Sequence, residues 1–295
     1  MKRKAGGAKL KKILIILLLI VLVISCLGQS DKEIEKVIEG IESEKGRTDK
    51  EKYTDLLITG MFWQDKDVKT AEKYYLEAAK YNKSAYASIG LMYYKKVSKK
   101  KGKEKYMEGW KKGDLESAYE LGIIYKKYEK NPKEAEKWWK LAAEQGHSEA
   151  QYSLGLMYKE NGEFSESIDW YKKAAEQGNV EAQYNLGNLY SDINNHESAG
   201  KWWEKAAEQN DVNAQYNLGS MYEKKIKNIE KAKYWYSKAA ENGDAEAQYN
   251  LGSIYIYENN STLGKNYLLK SAKQGNEKAK RKLERLEKGG TEDDN

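Results

Sequence analysis

Six glycines, Gly90, Gly122, Gly155, Gly187, Gly219 and Gly252, follow one another at separations of 32, 33, 32, 32 and 33 residues. Each sits in the same short phrase: SAYASIGLMY (84–93), ESAYELGIIY (116–125), EAQYSLGLMY (149–158), EAQYNLGNLY (181–190), NAQYNLGSMY (213–222) and EAQYNLGSIY (246–255). A nearly fixed period of this length marks a chain built from copies of one supersecondary unit, each too small to bury its own faces. Between these phrases recurs a second one, AEKWWKLAAEQG (135–146), SIDWYKKAAEQG (167–178), AGKWWEKAAEQN (199–210) and AKYWYSKAAENG (232–243). Weaker versions stand at 71–82, 102–113 and 264–275.

Both phrases carry helical spacing. Ala182, Leu186 and Tyr190 fall at i, i+4 and i+8, and Ala199, Trp202, Trp203, Ala206 and Ala207 make one apolar stripe. Large rings in one helix and Gly or Ala in the other allow two helices to approach closely. The joints fit the same reading. Gly113-Asp114, Gly146-His147, Gly178-Asn179, Asn210-Asp211, Gly243-Asp244 and Gly275-Asn276 each place a residue tolerant of left-handed backbone before a capping residue. The expected fold is therefore all-α, a right-handed α/α solenoid of stacked helix–turn–helix pairs. Leu57 to Trp63 reads as a degenerate first helix and Ala279 to Leu283 as a terminal one.

These phrases resemble the Sel1-like repeat, a relative of the tetratricopeptide repeat, which joins A-x-x-x-L-G-x-x-Y to A-x-x-W-[YW]-x-x-A-A-x-x-G. The resemblance covers residues 84–275, and it implies a scaffold that binds protein or peptide partners. The period here is shorter than the family's, which implies a compact loop within each helix pair. Some cysteine-rich relatives are linked to β-lactam chemistry, so the resemblance leaves a second reading: an envelope enzyme or cell-wall binder acting on peptidoglycan or β-lactams. This chain has a single cysteine, Cys26, and so lacks the disulfides of those relatives.

Nothing in the sequence assembles a catalytic centre. His147 and His196 stand at different positions of different repeats, and the carboxylates are spread over solvated helix faces without an isolated pair. No phosphate loop or nucleophile motif is present. The chain is not expected to be an enzyme, nor to use a cofactor or a metal. The formal net charge is +6, but Lys2, Arg3, Lys4, Lys9, Lys11 and Lys12 precede the first acidic residue, Asp31. Without those six, 46 basic residues face 46 acidic ones, so nucleic acid is not an expected partner.

Behind that basic head, residues 13–24 are continuously apolar. The run is too short to span a bilayer as a helix and fits the apolar core of a secretory signal. Val23-Ile24-Ser25-Cys26 resembles a bacterial lipobox, which makes Cys26 the lipid attachment site. An uncleaved signal anchor is the alternative, and both tether an exported body to the lipid bilayer. The domains are then a signal peptide (1–25), a tether with an amphipathic capping helix bearing Ile34, Val37, Ile38 and Ile41 (26–50), the repeats (51–288) and a frayed tail (289–295). A bacterial cell envelope is the expected location, on the periplasmic side or at the outer membrane.

Helix geometry locates the expected binding face. At about 100° per residue, Tyr184, Asn185 and Asn188 turn away from the Ala182–Leu186–Tyr190 stripe. In tetratricopeptide-like solenoids this face lines the concave groove. Tyr119, Tyr152, Tyr184, Tyr216 and Tyr249 would form a ladder there, either as ligand contacts or as packing against the next repeat. Asn185, Asn188, Asn217, Ser220, Asn250 and Ser253 vary between copies, as residues selecting a particular guest would. The groove so composed is polar and suited to hydrogen-bonding a peptide or a glycan.

Overall fold

Every joint between helix pairs is built as its residues dictate. Gly113, Gly146, Gly178, Asn210, Gly243 and Gly275 have φ between 68° and 93°, the left-handed region that ends a helix. The following residue caps the next helix: Asp114, His147, Asn179, Asp211, Asp244 and Asn276 each accept a backbone N–H from its first turn.

The computed structural model describes residues 48–288 together with Lys36, Gly40 and Gly46. The leader, Cys26, the isoleucine–valine stripe at 34–41 and the tail 289–295 lie outside the described residues. Among the described residues all regular structure is helical, and no strand occurs. The helices are α1 (Asp49–Trp63), α2 (Val68–Ala78), α3 (Ala85–Lys96), α4 (Lys99–Lys111), α5 (Leu115–Ile123), α6 (Pro132–Ala143), α7 (Ser148–Glu160), α8 (Phe164–Glu176), α9 (Val180–Asp192), α10 (His196–Glu208), α11 (Val212–Met221), α12 (Ile229–Glu241), α13 (Ala245–Tyr257), α14 (Ser261–Lys273) and α15 (Glu277–Glu287). They fall into two compact units that divide after Ala142. In each unit helix pairs follow one another in tandem, the expected α/α repeat architecture.

Within a pair, glycine faces a ring. A methyl group placed on Gly60 or Gly90 of the first unit would lie 2.6 or 2.4 Å from Tyr75 or Tyr106. In the second unit Gly155, Gly187 and Gly219 meet Tyr171, Trp203 and Tyr236 in the same way. The rings are buried, and so are the leucines one residue before the later glycines, Leu154, Leu186 and Leu218. Each such side chain contributes about 1.5–3 kcal/mol by burial.

Two sequence expectations are extended. The first helix begins at Asp49 rather than near Leu57, because Thr48 and Glu51 form a reciprocal capping box. The terminal helix runs from Glu277 to Glu287 under the cap of Asn276.

The period alternates between 32 and 33 for a visible reason. The chain after α5 forms a π-helical turn, Ile124–Tyr128, and that after α11 forms another, Tyr222–Ile226. These are the two copies whose period is 33. The caps Asn131 and Asn228 lie nine residues beyond their glycines, where Ser98, Glu163, Asn195 and Asn260 lie eight beyond theirs. A π turn absorbs one extra residue without displacing the packing on either side.

Candidate functional site

The second unit opens a cleft of about 300 Å³ between consecutive helix pairs. Asn188, Ser191 and Asp192 of α9 form one wall, and Asn217, Ser220 and Met221 of α11 the other. Trp203 lies in the floor, His196 at the start of α10 and Lys224 and Lys225 in the π turn at the mouth. Three of the sequence-predicted residues, Asn188, Asn217 and Ser220, are thus brought together.

The floor is tied by one oxygen. Asn188 Oδ1 accepts from Trp203 Nε1 at 3.0 Å and from Asn217 Nδ2 at 3.2 Å. That shared oxygen holds both amides in place at the cleft lining. A carboxamide carries both donor and acceptor groups, the types that pair with the N–H and C=O of an extended peptide. The two lysines add positive charge at one end, and Asp192 adds negative charge on the facing wall.

The tyrosines are half-buried, and the structure assigns them packing contacts. Tyr152 lies 5.7 Å from the ring of Tyr171, and Tyr216 lies 5.9 Å from that of Tyr236. Tyr184 packs on the cluster around Trp203, and Tyr249 on the cluster of Ile256, Leu268 and Ala279. In the first unit the backbone carbonyl of Tyr119 accepts the Trp139 indole N–H at 3.2 Å. Burial raises the pKa of Tyr152 and of Tyr216, and an asparagine of the next pair, Asn185 or Asn250, opposes that rise. The Asn185 amide donates to the Glu181 carbonyl at 2.8 Å. Ser253 Oγ is buried without a hydrogen-bond partner.

The sequence reading missed a row of glutamines. Gln151, Gln183, Gln215 and Gln248 are all buried. Their amides donate to Ala143, Ala175, Ala207 and Ala240 carbonyls at 2.9–3.1 Å, which satisfies the ends of the preceding helices. Their carbonyl oxygens accept from Gln177, Gln209, Asn242 and Gln274, at the end of the second helix of their own pair. The signal was present, since this glutamine recurs in the EAQY and NAQY phrases. Glutamine is mostly a surface residue, which is why the pattern passed as polar dressing.

His147 Nδ1 accepts Ala150 N–H at 3.2 Å and so acts as a helix cap. Among the described residues no group of three or more His, Cys, Asp or Glu could hold a metal ion. No described helix is long and apolar enough to cross a membrane.

Comparison with known proteins agrees with this architecture. The Sel1 repeat matches residues 57–80, 115–147, 148–179, 180–211 and 212–244, and the tetratricopeptide repeat matches 245–273. An F-box protein of Arabidopsis thaliana, At1g70590, is 40% identical over 73 residues, 24% of this chain and 21% of that protein. Among solved structures, c5321, a protective antigen present in uropathogenic Escherichia coli strains and displaying an SLR fold, is 27% identical with a TM-score of 0.59. That match covers 82% of this chain and 57% of the antigen's. The chain thus spans less than two thirds of either relative's length. A Sel1 repeat protein from Oxalobacter formigenes has the same fold at 24% identity and a TM-score of 0.59, over 88% of this chain and 82% of that one.

Proposed function

This chain belongs to the Sel1 repeat family, and we propose that it is a non-catalytic scaffold, exported and tethered to a membrane, whose first-helix face binds an extended peptide segment of a protein partner. One observation carries the binding reading: Asn188 and Asn217 are tied to each other and to the Trp203 indole N–H through one oxygen, at the lining of a cleft of about 300 Å³. Such pre-organisation lowers the ordering cost of binding. Lys224 and Lys225 favour an acidic side chain in the guest at that end.

The tether rests on the apolar run 13–24 and on Cys26 at the end of a lipobox-like sequence. The E. coli relative's description as a protective antigen supports a place in the cell envelope.

Photo-crosslinking from Ser220 in intact cells tests the binding reading. A protein captured from Ser220, and lost when Asn188→Ala and Asn217→Ala are combined, is the expected result. Capture that is equal from the exposed Glu204, or unaffected by the two alanines, overturns it. Metabolic labelling with palmitate tests the tether separately: label is expected on the native chain and absent from Cys26→Ser.

A further inference from the structure

The formal neutrality of the body hides an uneven distribution of charge in the first unit. Between α3 and α4 the chain reads Lys95-Lys96-Val97-Ser98-Lys99-Lys100-Lys101, and all seven residues are exposed. At the end of the π turn and beyond it, Lys127, Tyr128, Glu129, Lys130 and Lys133 are exposed as well. The two loops are neighbours: the rings of Tyr94 and Tyr128 lie 6.3 Å apart, and Lys103 of α4 pairs with Glu129. Two acidic groups at this edge are engaged, Glu129 by Lys103 and Asp65 by Lys96, and exposed Glu104 lies one turn further along α4. Two apolar side chains protrude among the lysines, Val97 at 43% exposure and Tyr128 at 56%.

Two features show that lysine is kept here against local preference. Helix α4 begins with Lys99, Lys100 and Lys101 and has no acidic residue in its first turn, although the helix dipole favours acids there. Of the corresponding helices, α6, α8, α10 and α12 carry glutamate in that turn, Glu134, Glu166, Glu197 and Glu230, and α2 and α14 carry no acid there but no run of lysines either. Lys130, moreover, occupies a left-handed position at φ 54°, as its counterpart Lys227 does at φ 61° after the other π turn, whereas the loops without a π turn use Gly162, Asn194 and Asn259. Glycine and asparagine adopt that backbone with less strain than lysine does.

We propose that this loop edge of the first unit docks on an anionic bilayer surface. The lysines face phosphate-bearing headgroups, and Val97 and Tyr128 enter the boundary with the acyl chains. Charge complementarity selects the headgroups. The protruding apolar side chains select a bilayer over a dissolved polyanion, which offers no apolar layer, and a phenol ring suits a boundary that is apolar on one side and wet on the other. The surface uses none of residues 1–26, so it holds or fails independently of the tether.

The test uses the full-length chain with Cys26→Ser and Val97→Cys, the new cysteine carrying an environment-sensitive dye. The protein is reconstituted in phosphatidylcholine vesicles, with or without phosphatidylglycerol. A second preparation carries the dye at Lys112→Cys, at the opposite end of α4. A blue shift at position 97 is expected only with phosphatidylglycerol, weakened by salt and absent at position 112. Combining Lys99→Gln, Lys100→Gln, Lys101→Gln and Lys130→Asn is expected to weaken the vesicle affinity about a thousandfold at low salt and to abolish the response at lipid concentrations that saturate the parent. Circular dichroism should show unchanged helix content, since all four positions are exposed. Tyr128→Ser, with every lysine intact, is expected to reduce the shift as well. An equal shift in both lipids, or a shift indifferent to the lysines, would show that the leader alone holds the protein and would overturn the proposal. A response to a short nucleic-acid duplex in solution with none to vesicles would overturn it in favour of a polyanion site.

Discussion

The side-chain amide of Gln209, at the end of α10, donates to Gln183 Oε1 at 2.8 Å, while Gln183 itself donates to the Ala175 carbonyl at 3.0 Å. One glutamine thereby joins the end of the preceding helix pair to the end of its own. A buried polar side chain placed so must be fully paired. Replacing it removes the second donor of the Ala175 carbonyl, which keeps only the Gly178 N–H at 3.0 Å, and takes the Gln183 acceptor from the Gln209 amide. Gln183→Leu is expected to destabilise the protein by about 1–3 kcal/mol, although it is more apolar and of similar size. Urea denaturation measures the loss. An unchanged midpoint would mean that the Gly178 N–H alone satisfies the Ala175 carbonyl and that solvent takes over the Gln209 amide.

Much of the fold was legible because the repeats check one another. The glycine opposite a ring and the Gly-Asp or Gly-Asn joint recur in register, and both have the backbone or contact that their chemistry demands. The period also revealed two longer copies, but spacing alone could not place the extra residue in a π turn. The candidate site was legible only in part. A helical wheel correctly turned Asn188 and Asn217 away from the apolar stripe, yet it describes one helix in isolation. It could not show that neighbouring rings lie beside Tyr152 and Tyr216, or that the Asn185 amide is taken by the Glu181 carbonyl. Whole-body net charge likewise averaged away the lysines around Val97 and Tyr128.

Gly187 is expected to tolerate no side chain at all. A Cβ there lies 2.4 Å from Trp203 Cδ1, and Trp203 is held by its hydrogen bond to Asn188. Gly187→Ala should cost about 1–3 kcal/mol through overpacking and should disturb the cleft, whereas the conformational strain of Gly178→Ala at φ 92° leaves the ring in place. Thermal melts and tryptophan fluorescence distinguish the two: both variants lose stability, and only Gly187→Ala shifts the emission.

Alkaline pH should weaken the first unit before any covalent damage occurs. Burial pushes the Tyr75 hydroxyl up to about 12, and burial together with the hydrogen bond it donates to Glu72 pushes Tyr93 to about 12. The unfolded chain releases these protons near the ordinary tyrosine value of about 10, so the folded state retains protons that the unfolded state loses. The stability these groups contribute is fully present below about pH 10 and is lost as pH rises through about 12. Denaturation midpoints taken across that window should fall. Tyr93→Phe should flatten the fall, and the tyrosinate absorbance of the native protein should lag behind that of the unfolded chain.

Asp114 shows the opposite use of a cap. It is buried, it accepts the Glu116 N–H and the Ser117 hydroxyl, and burial, the largest influence on it, raises its pKa above the usual carboxylate value. With a raised folded pKa, its favourable contribution exists below the unfolded value and is lost as pH rises through the folded one. At neutral pH the ionised cap is therefore a burden. Asparagine caps a helix about as well, and Asn179 and Asn276 do so at equivalent joints. Asp114→Asn should raise the urea midpoint at pH 7, the gain from removing a buried charge being reduced by the loss of about 0.3–1 kcal/mol from the helix dipole. The gain should shrink towards zero once acid protonates Asp114 in the native protein. Urea midpoints for both proteins at pH 7 and near pH 3.5 check this. A gain that persists undiminished in acid would show that it comes from packing instead of charge.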